Sequence, residues 1–210
     1  MLVAALSAEN APLLAQPFYE GGDPGPIAAT MAHVPELLEV ALPFIGMALG
    51  ASSIDFRTKE IVIVRTSALL GCRYCIDSHT TVALDSGLSH QQVGLLRDEP
   101  TSSDVGSNDR SAFDAAFPSA RDRALILWID AVAGSIGAVS PRANDAVKAS
   151  FADHEIVELT LLIGATMLLN RYATALQLPV GAATIERLIV EGFLDNTKTE
   201  SEKFLTEVSA

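Results

Sequence analysis

The segment Cys72-Arg73-Tyr74-Cys75-Ile76-Asp77-Ser78-His79 holds both cysteines of the chain, and a histidine stands four places after the second. Two cysteines three apart can close a disulfide with each other, so the pair can give up and take back two electrons. On a helix, residues four apart are neighbours, which would lay His79 over Cys75, where the imidazole could take the thiol proton. The thiolate is the nucleophilic form of cysteine, and a nearby base or imidazolium raises its population. Such a constellation suits redox chemistry.

These side chains must be placed by helices. Gly71 breaks the chain just before Cys72, and the pattern predicts a helix over Cys72–Ser86 with Gly87 as the residue that ends it. Both cysteines then fall in the first turn, where free N–H groups and the helix dipole favour negative charge. That dipole does not choose between the two sulfurs. The imidazole does, since His79 is i+4 from Cys75 and i+7 from Cys72. Upstream, Ser53 or Asp55 can cap a helix through Leu70. Its run Ile61-Val62-Ile63-Val64 is strand-like in composition, but its flanks lack turn residues and its length exceeds a strand, so it reads as a buried helix. Glu60 stands at the edge of that run. A carboxylate there is either a solvated first-turn residue or a partner for the far nitrogen of His79.

The remaining chain also reads as helical. Ile27–Gly50 is a helical stretch that Pro35 and Pro43 should break or kink, after an irregular leader ending at Pro24-Gly25-Pro26. Ser89 with Gln92 makes a capping box for a short helix to Arg97. Residues 98–118 are expected as a mobile polar loop. Ser119 with Asp122 caps a helix to Ala133, Ser140-Pro141 starts another, and Asp153 caps a long apolar helix to about Leu176. Thr184–Phe193 is amphipathic, and residues 195–210 form a polar tail. Glu60-Ile61-Val62 recurs as Glu155-Ile156-Val157, which raises an internal pseudo-repeat at a shift of 95 residues, or a chance match of two apolar helices.

Charge and composition exclude some partners. The net charge of −12 argues against nucleic acid and anionic membranes, which need clustered Lys and Arg. No run reaches the roughly 18 uncharged apolar residues of a membrane span. The amino terminus lacks a basic leader and meets Glu9 early, so a cytoplasmic protein is expected. Two closely spaced cysteines in a reducing compartment read as catalytic or metal-binding. Zinc would need a second ligand pair, and His33, His90 and His154 are isolated from one another and from the cysteines. They read as ordinary surface residues, and Trp128 reads as core. Asn170-Arg171-Tyr172 is oddly polar for its helix and suits an interface or a buried acid. No metal or organic cofactor is expected.

Glu60, eleven residues, Cys72-x-x-Cys75, three residues, His79 resembles the signature of the alkylhydroperoxidase D-like branch of the carboxymuconolactone decarboxylase family. Pro35-Glu36-Leu37-Leu38 and Glu158-Leu159-Thr160-Leu161-Leu162-Ile163-Gly164 with Asn170-Arg171 look like that family too. The resemblance implies one all-α, alkylhydroperoxidase D-like helical bundle over residues 1–210, in a homo-oligomer, often a trimer or hexamer. It implies a thiol-dependent peroxidase in which Cys75 attacks the hydroperoxide and Cys72 resolves the sulfenic acid to a disulfide. His79 would be the base with Glu60 behind it, and an external dithiol electron-donor protein would close the cycle. At Tyr74 this chain departs from the family's hydroperoxidases, which carry a histidine there. Two other functions fit the residues. One is a disulfide reductase or redox-partner protein, in which Cys72 would attack. The other is a decarboxylase-like enzyme on small cyclic acids, with His79 and Glu60 in acid–base roles.

Overall fold

Ten α-helices and a 3₁₀ turn make up the described residues, 1–97, 111–134 and 138–195 of a computed structural model. The described residues contain no strand, so the expected all-α class holds. Residues 98–110 of the expected loop and 196–210 of the expected tail lie outside the described residues.

The leader is less irregular than its composition suggests. A 3₁₀ helix, Leu13–Tyr19, buries Ala15 and Tyr19, and the Tyr19 hydroxyl donates to the Leu6 carbonyl at 2.9 Å. Helices α1 (Gly25–Met31) and α2 (Pro35–Leu49) follow. Pro35 opens α2 at a position that needs no N–H donor. Pro43, expected to break or kink this stretch, lies inside α2 without ending it. The carbonyl it deprives of a donor belongs to exposed Glu39, where water can replace the bond.

The centre of the molecule is α3 (Phe56–Leu69), capped by Asp55, whose carboxylate accepts the Thr58 N–H at 2.9 Å. Every residue from Thr58 to Ala68 is buried, so the β-branched run is a core helix and not a strand. At Gly71 the chain turns back with φ +63°, a left-handed conformation that glycine adopts without a Cβ penalty. The Cys72 N–H then donates to the Ser67 carbonyl at 3.0 Å across the turn. Helix α4 (Arg73–Asp85) runs from there to Gly87, φ +95°, and α5 (His90–Arg97) carries the reciprocal Ser89/Gln92 capping bonds.

Part of the expected loop is ordered instead. Helix α6 (Ser111–Ala116) covers its end because Phe117 is fully buried and Phe113 stacks under the Arg65 guanidinium. Then come α7 (Ala120–Ala133), capped by Ser119 as expected, and α8 (Pro141–Ser150), with Pro141 in its first turn. The longest helix is α9 (Asp153–Leu176). Its cap position is Ala152 and not Asp153, because Glu155 reaches back to accept the Ala152 N–H at 2.8 Å. Helix α10 (Ala182–Val190) ends the described fold. By length and apolarity α9 could cross a membrane, but here it packs on α3, α4 and α7 as a core helix.

Core side chains from α3 (Ile61–Val64), α7 (Leu125, Ile126, Ile129) and α9 (Leu159, Leu162, Ile163) form one cluster around α3. Burying each such side chain contributes about 1.5–3 kcal/mol. The suspected repeat stops short as helix–turn–helix. Where α3 yields to the Gly71 turn, the shifted position is Thr166, buried inside an unbroken α9.

Candidate active site

Three elements build the site: α3, which carries Glu60 and Ser67, the first two turns of α4 and the C-terminal half of α9. Cys72 is the N-cap of α4, and its sulfur accepts the Cys75 N–H at 3.4 Å, the place usually filled by a Ser or Asp oxygen. Both cysteines are free and buried, with Sγ atoms 2.7 Å apart. A formed disulfide needs about 2.05 Å, so closing the bond takes a small movement. Ala173 and Leu178 complete the buried cluster around the pair, with Ile27, Tyr74, Tyr172 and Leu176 at its margin.

Two sulfurs this close share protons as a unit. The two sulfurs share one hydrogen bond, in which the Cys75 thiol donates whenever Cys72 is the thiolate. That bond, with the Cys75 N–H, the Thr174 hydroxyl and the nearby His79 imidazole, outweighs burial and brings the Cys72 thiol down to about 6. Cys75 is correspondingly pushed up, first by the same hydrogen bond, then by burial and the Cys72 charge. The resting pair therefore holds one proton readily lost and one firmly kept. The ordering differs from the expectation that imidazole spacing would favour the Cys75 thiolate. The hydrogen bond between the two sulfurs weighs most in it, and the Cys75 N–H that meets the Cys72 sulfur at the helix cap adds to it.

Glu60 is not a solvated first-turn residue. It is buried, and His79 Nδ1 lies 3.2 Å and 3.0 Å from its two carboxylate oxygens. A bonded carboxylate fixes the ring's orientation and leaves Nε2 as the atom able to exchange a proton. The His79 ring is about a quarter exposed, so Nε2 chemistry has access to solvent. No hydrogen bond joins His79 to Cys75 among the described residues. Tyr74 forms an edge of the cluster, with its phenol pushed up by burial first and by the Cys75 charge second.

The remaining polar expectations sort readily. His33 is exposed beside the Ala4 carbonyl, His90 pairs with Glu191 at 2.8 Å, and His154 is exposed. Trp128 is core and donates to Thr160 at 3.3 Å. Arg171 is exposed, whereas Asn170 is buried and meets Ser67 Oγ at 3.0 Å, a serine and neither an interface nor an acid. Ser67, Asn170 and Thr174 are site residues that spacing within the C-x-x-C segment could not find. The one signal was the polarity of Asn170 in an apolar helix. A cavity of about 620 Å³ lies between the N-terminal segment, α1 and Pro179–Gly181, and neither cysteine lines it.

The fold and site define an all-helical protein with a dithiol at a helix start and a carboxylate-bound imidazole one turn on. Residues 35–118 match the carboxymuconolactone decarboxylase family. Among solved structures, a protein of unknown function from Agrobacterium tumefaciens, provisionally named an antioxidant defence protein AhpD, is 25% identical. The likeness covers 72% of this chain and 95% of that one, with a TM-score of 0.57. The debrominase Bmp8, solved as a cysteine-to-alanine variant with 2,3,4-tribromopyrrole, shares the fold at 19% identity and TM-score 0.70, over 91% and 97% of the two chains. The uncharacterised protein YdfG of Bacillus subtilis (strain 168) is 40% identical over 45 residues, 21% of this chain. That match spans 31% of the relative's length. The likeness to the carboxymuconolactone decarboxylase family thus lies in residues 35–118, and the fold is that of alkylhydroperoxidase D-like structures. That likeness and the fold are those of enzymes of the peroxidase-related or decarboxylase-like kind.

Proposed function

We propose that the protein is a thiol-dependent peroxidase that reduces hydroperoxides through a Cys72/Cys75 dithiol–disulfide cycle. The observation that carries this reading is the pair of free sulfurs 2.7 Å apart at the start of α4. The Cys75 thiolate attacks the outer peroxide oxygen, the O–O bond breaks, and the alcohol leaves with a proton relayed through His79 Nε2. Cys75 is now a sulfenic acid. The Cys72 thiolate attacks that sulfur, water leaves, and the disulfide forms. An external dithiol protein returns two electrons and two protons.

Cys72 holds the lowered thiol and both cysteines are buried, and Cys75 takes the attack in this reading because His79 stands one helical turn after it. Proton exchange across 2.7 Å moves the charge to the attacking atom. The same low Cys72 value favours a second reading, a disulfide reductase in which Cys72 attacks a client disulfide. The reading also includes a cytoplasmic homo-oligomer, trimer or hexamer. Leu37, Val40, Phe44 and Met47 form an exposed apolar stripe on α2 that a second copy would cover.

The test is single-turnover peroxide oxidation read by intact mass on wild type, Cys75→Ser and Cys72→Ser. The expected result is an intramolecular disulfide in wild type, a trappable sulfenic acid on Cys75 in Cys72→Ser, and no oxidation in Cys75→Ser. Catalytic peroxide consumption by Cys75→Ser would overturn the mechanism. A mixed disulfide trapped through Cys72 would select the reductase. Turnover of a cyclic acid that survives loss of both thiols would select the decarboxylase-like alternative. A brominated pyrrole belongs in the same panel, given the debrominase fold likeness.

A further inference from the structure

Ser67 stands beside both halves of the dithiol. Its carbonyl accepts the Cys72 N–H at 3.0 Å, and its hydroxyl is near enough to Cys75 to favour the thiolate there. Ser67 is fully buried and Asn170 is 1% exposed, with Ser67 Oγ 3.0 Å from Asn170 Oδ1. A serine hydroxyl has a single proton to give. Donated to Asn170 Oδ1, it is lost to Cys75, and Asn170 Nδ2 is left buried without a partner. An orphaned buried N–H is rarer and costlier than an under-used carbonyl. Turning the amide end for end keeps the side chain's shape and resolves both problems. Nδ2 then donates to Ser67 Oγ, and the Ser67 proton is free to point at Cys75 Sγ.

We propose that Ser67 is a further catalytic residue, donating its hydroxyl hydrogen bond to the Cys75 thiolate, and that Asn170 positions it. This rests on Cys75 being the attacking sulfur in the reading above. A buried thiolate needs a donor, and the Cys75 N–H is already committed to the Cys72 sulfur. Asn170 and Thr174 are four apart on α9 and so share a face. Thr174 favours the charged form of Cys72, and Asn170 reaches Cys75 through Ser67. Each sulfur thus finds its own hydroxyl when the negative charge passes between them.

The test is the pH dependence of Cys75 alkylation by iodoacetamide, read by intact mass in the Cys72→Ser background. Serine is a good N-cap, so that background keeps the start of α4. Ser67→Ala is expected to raise the midpoint by about one pH unit, a tenfold loss of thiolate below it. Asn170→Ala is expected to move it the same way by less. Because Asn170 acts through Ser67, the double variant should shift no further than Ser67→Ala alone. An unmoved midpoint in folded Ser67→Ala, or shifts that add in the double variant, would overturn the proposal. If Ser67→Ala does not fold, Asn170→Ala decides by itself, a raised midpoint supporting the proposal and an unmoved one ending it. Alkylation needs no peroxide. A raised midpoint in a protein that turns over no peroxide would therefore keep the Ser67 role and sink the peroxidase reading.

Discussion

The two ends of α3 bury polar side chains in opposite ways. Near its start, Lys59 is 1% exposed and its ammonium meets the Ala48 carbonyl at 2.9 Å, the Gly50 carbonyl at 2.6 Å and Glu158 at 3.2 Å. An ammonium has three protons, and all three are used. Near the other end, the Ser67–Asn170 pair stands behind two free, proton-sharing cysteines. The Lys59 network ties the end of α2 to α9 and has no capacity left. The Ser67 pair keeps one hydroxyl proton that can follow a charge moving during a reaction.

That contrast can be broken in several places. The largest effect is expected from Cys75→Ser, which should reduce peroxide turnover to background while leaving the thermal midpoint nearly unchanged. A large stability loss with retained turnover would reverse the roles of the two ends. His79→Ala should lower kcat/KM by about 10²–10⁴-fold, the usual worth of a proton-transferring side chain. Glu60→Gln should lower it less, because the amide still hydrogen-bonds the ring but cannot offset its charge. Equal losses for the two would mean that Glu60 does more than orient.

At the structural end, Lys59→Ala strands two carbonyls and leaves Glu158 with only the Ser52 and Ser53 hydroxyls. It should cost roughly 3 kcal/mol, seen as a fall in Tm of about 10 °C, while Cys75 keeps its alkylation profile. A shifted thiol profile in that variant would show that the two ends are coupled. The smallest and finest effect concerns pH. The Cys72 thiol is lowered to about 6, and the reactive form is the deprotonated one. Alkylation of the reduced wild-type pair should therefore rise as pH rises through about 6, and Cys72→Ser should remove that step. A wild-type profile that rises only near pH 8.5, as for an ordinary thiol, would show that the Cys75–Cys72 hydrogen bond does not lower the pair.

Much of the helix order was legible because it depends on local rules. Asp55, Ser89 with Gln92, Ser119 and Ser140 all appear where capping patterns placed them. Errors arose where a distant partner overrode a local signal. Burial of Phe117 and the Arg65–Phe113 stack turn part of a polar-looking loop into α6.

The same division holds at the site. Sequence alone determined that two thiols and an imidazole share the first turns of one helix, since i, i+3 and i+4 neighbours follow from helix geometry. It also supplied Glu60 as a candidate, without saying what that carboxylate would meet. Only the tertiary structure decided that Glu60 turns inward to His79, that the Cys72 sulfur caps α4 and carries the lowered thiol, and that Ser67 and Asn170 stand behind Cys75. Those are contacts across 19 and 103 residues of sequence for Glu60–His79 and Ser67–Asn170. Helical periodicity carries no information at that range. The packing of α3 between α4 and α9 creates those contacts, and with them the buried environment that sets which sulfur holds the proton.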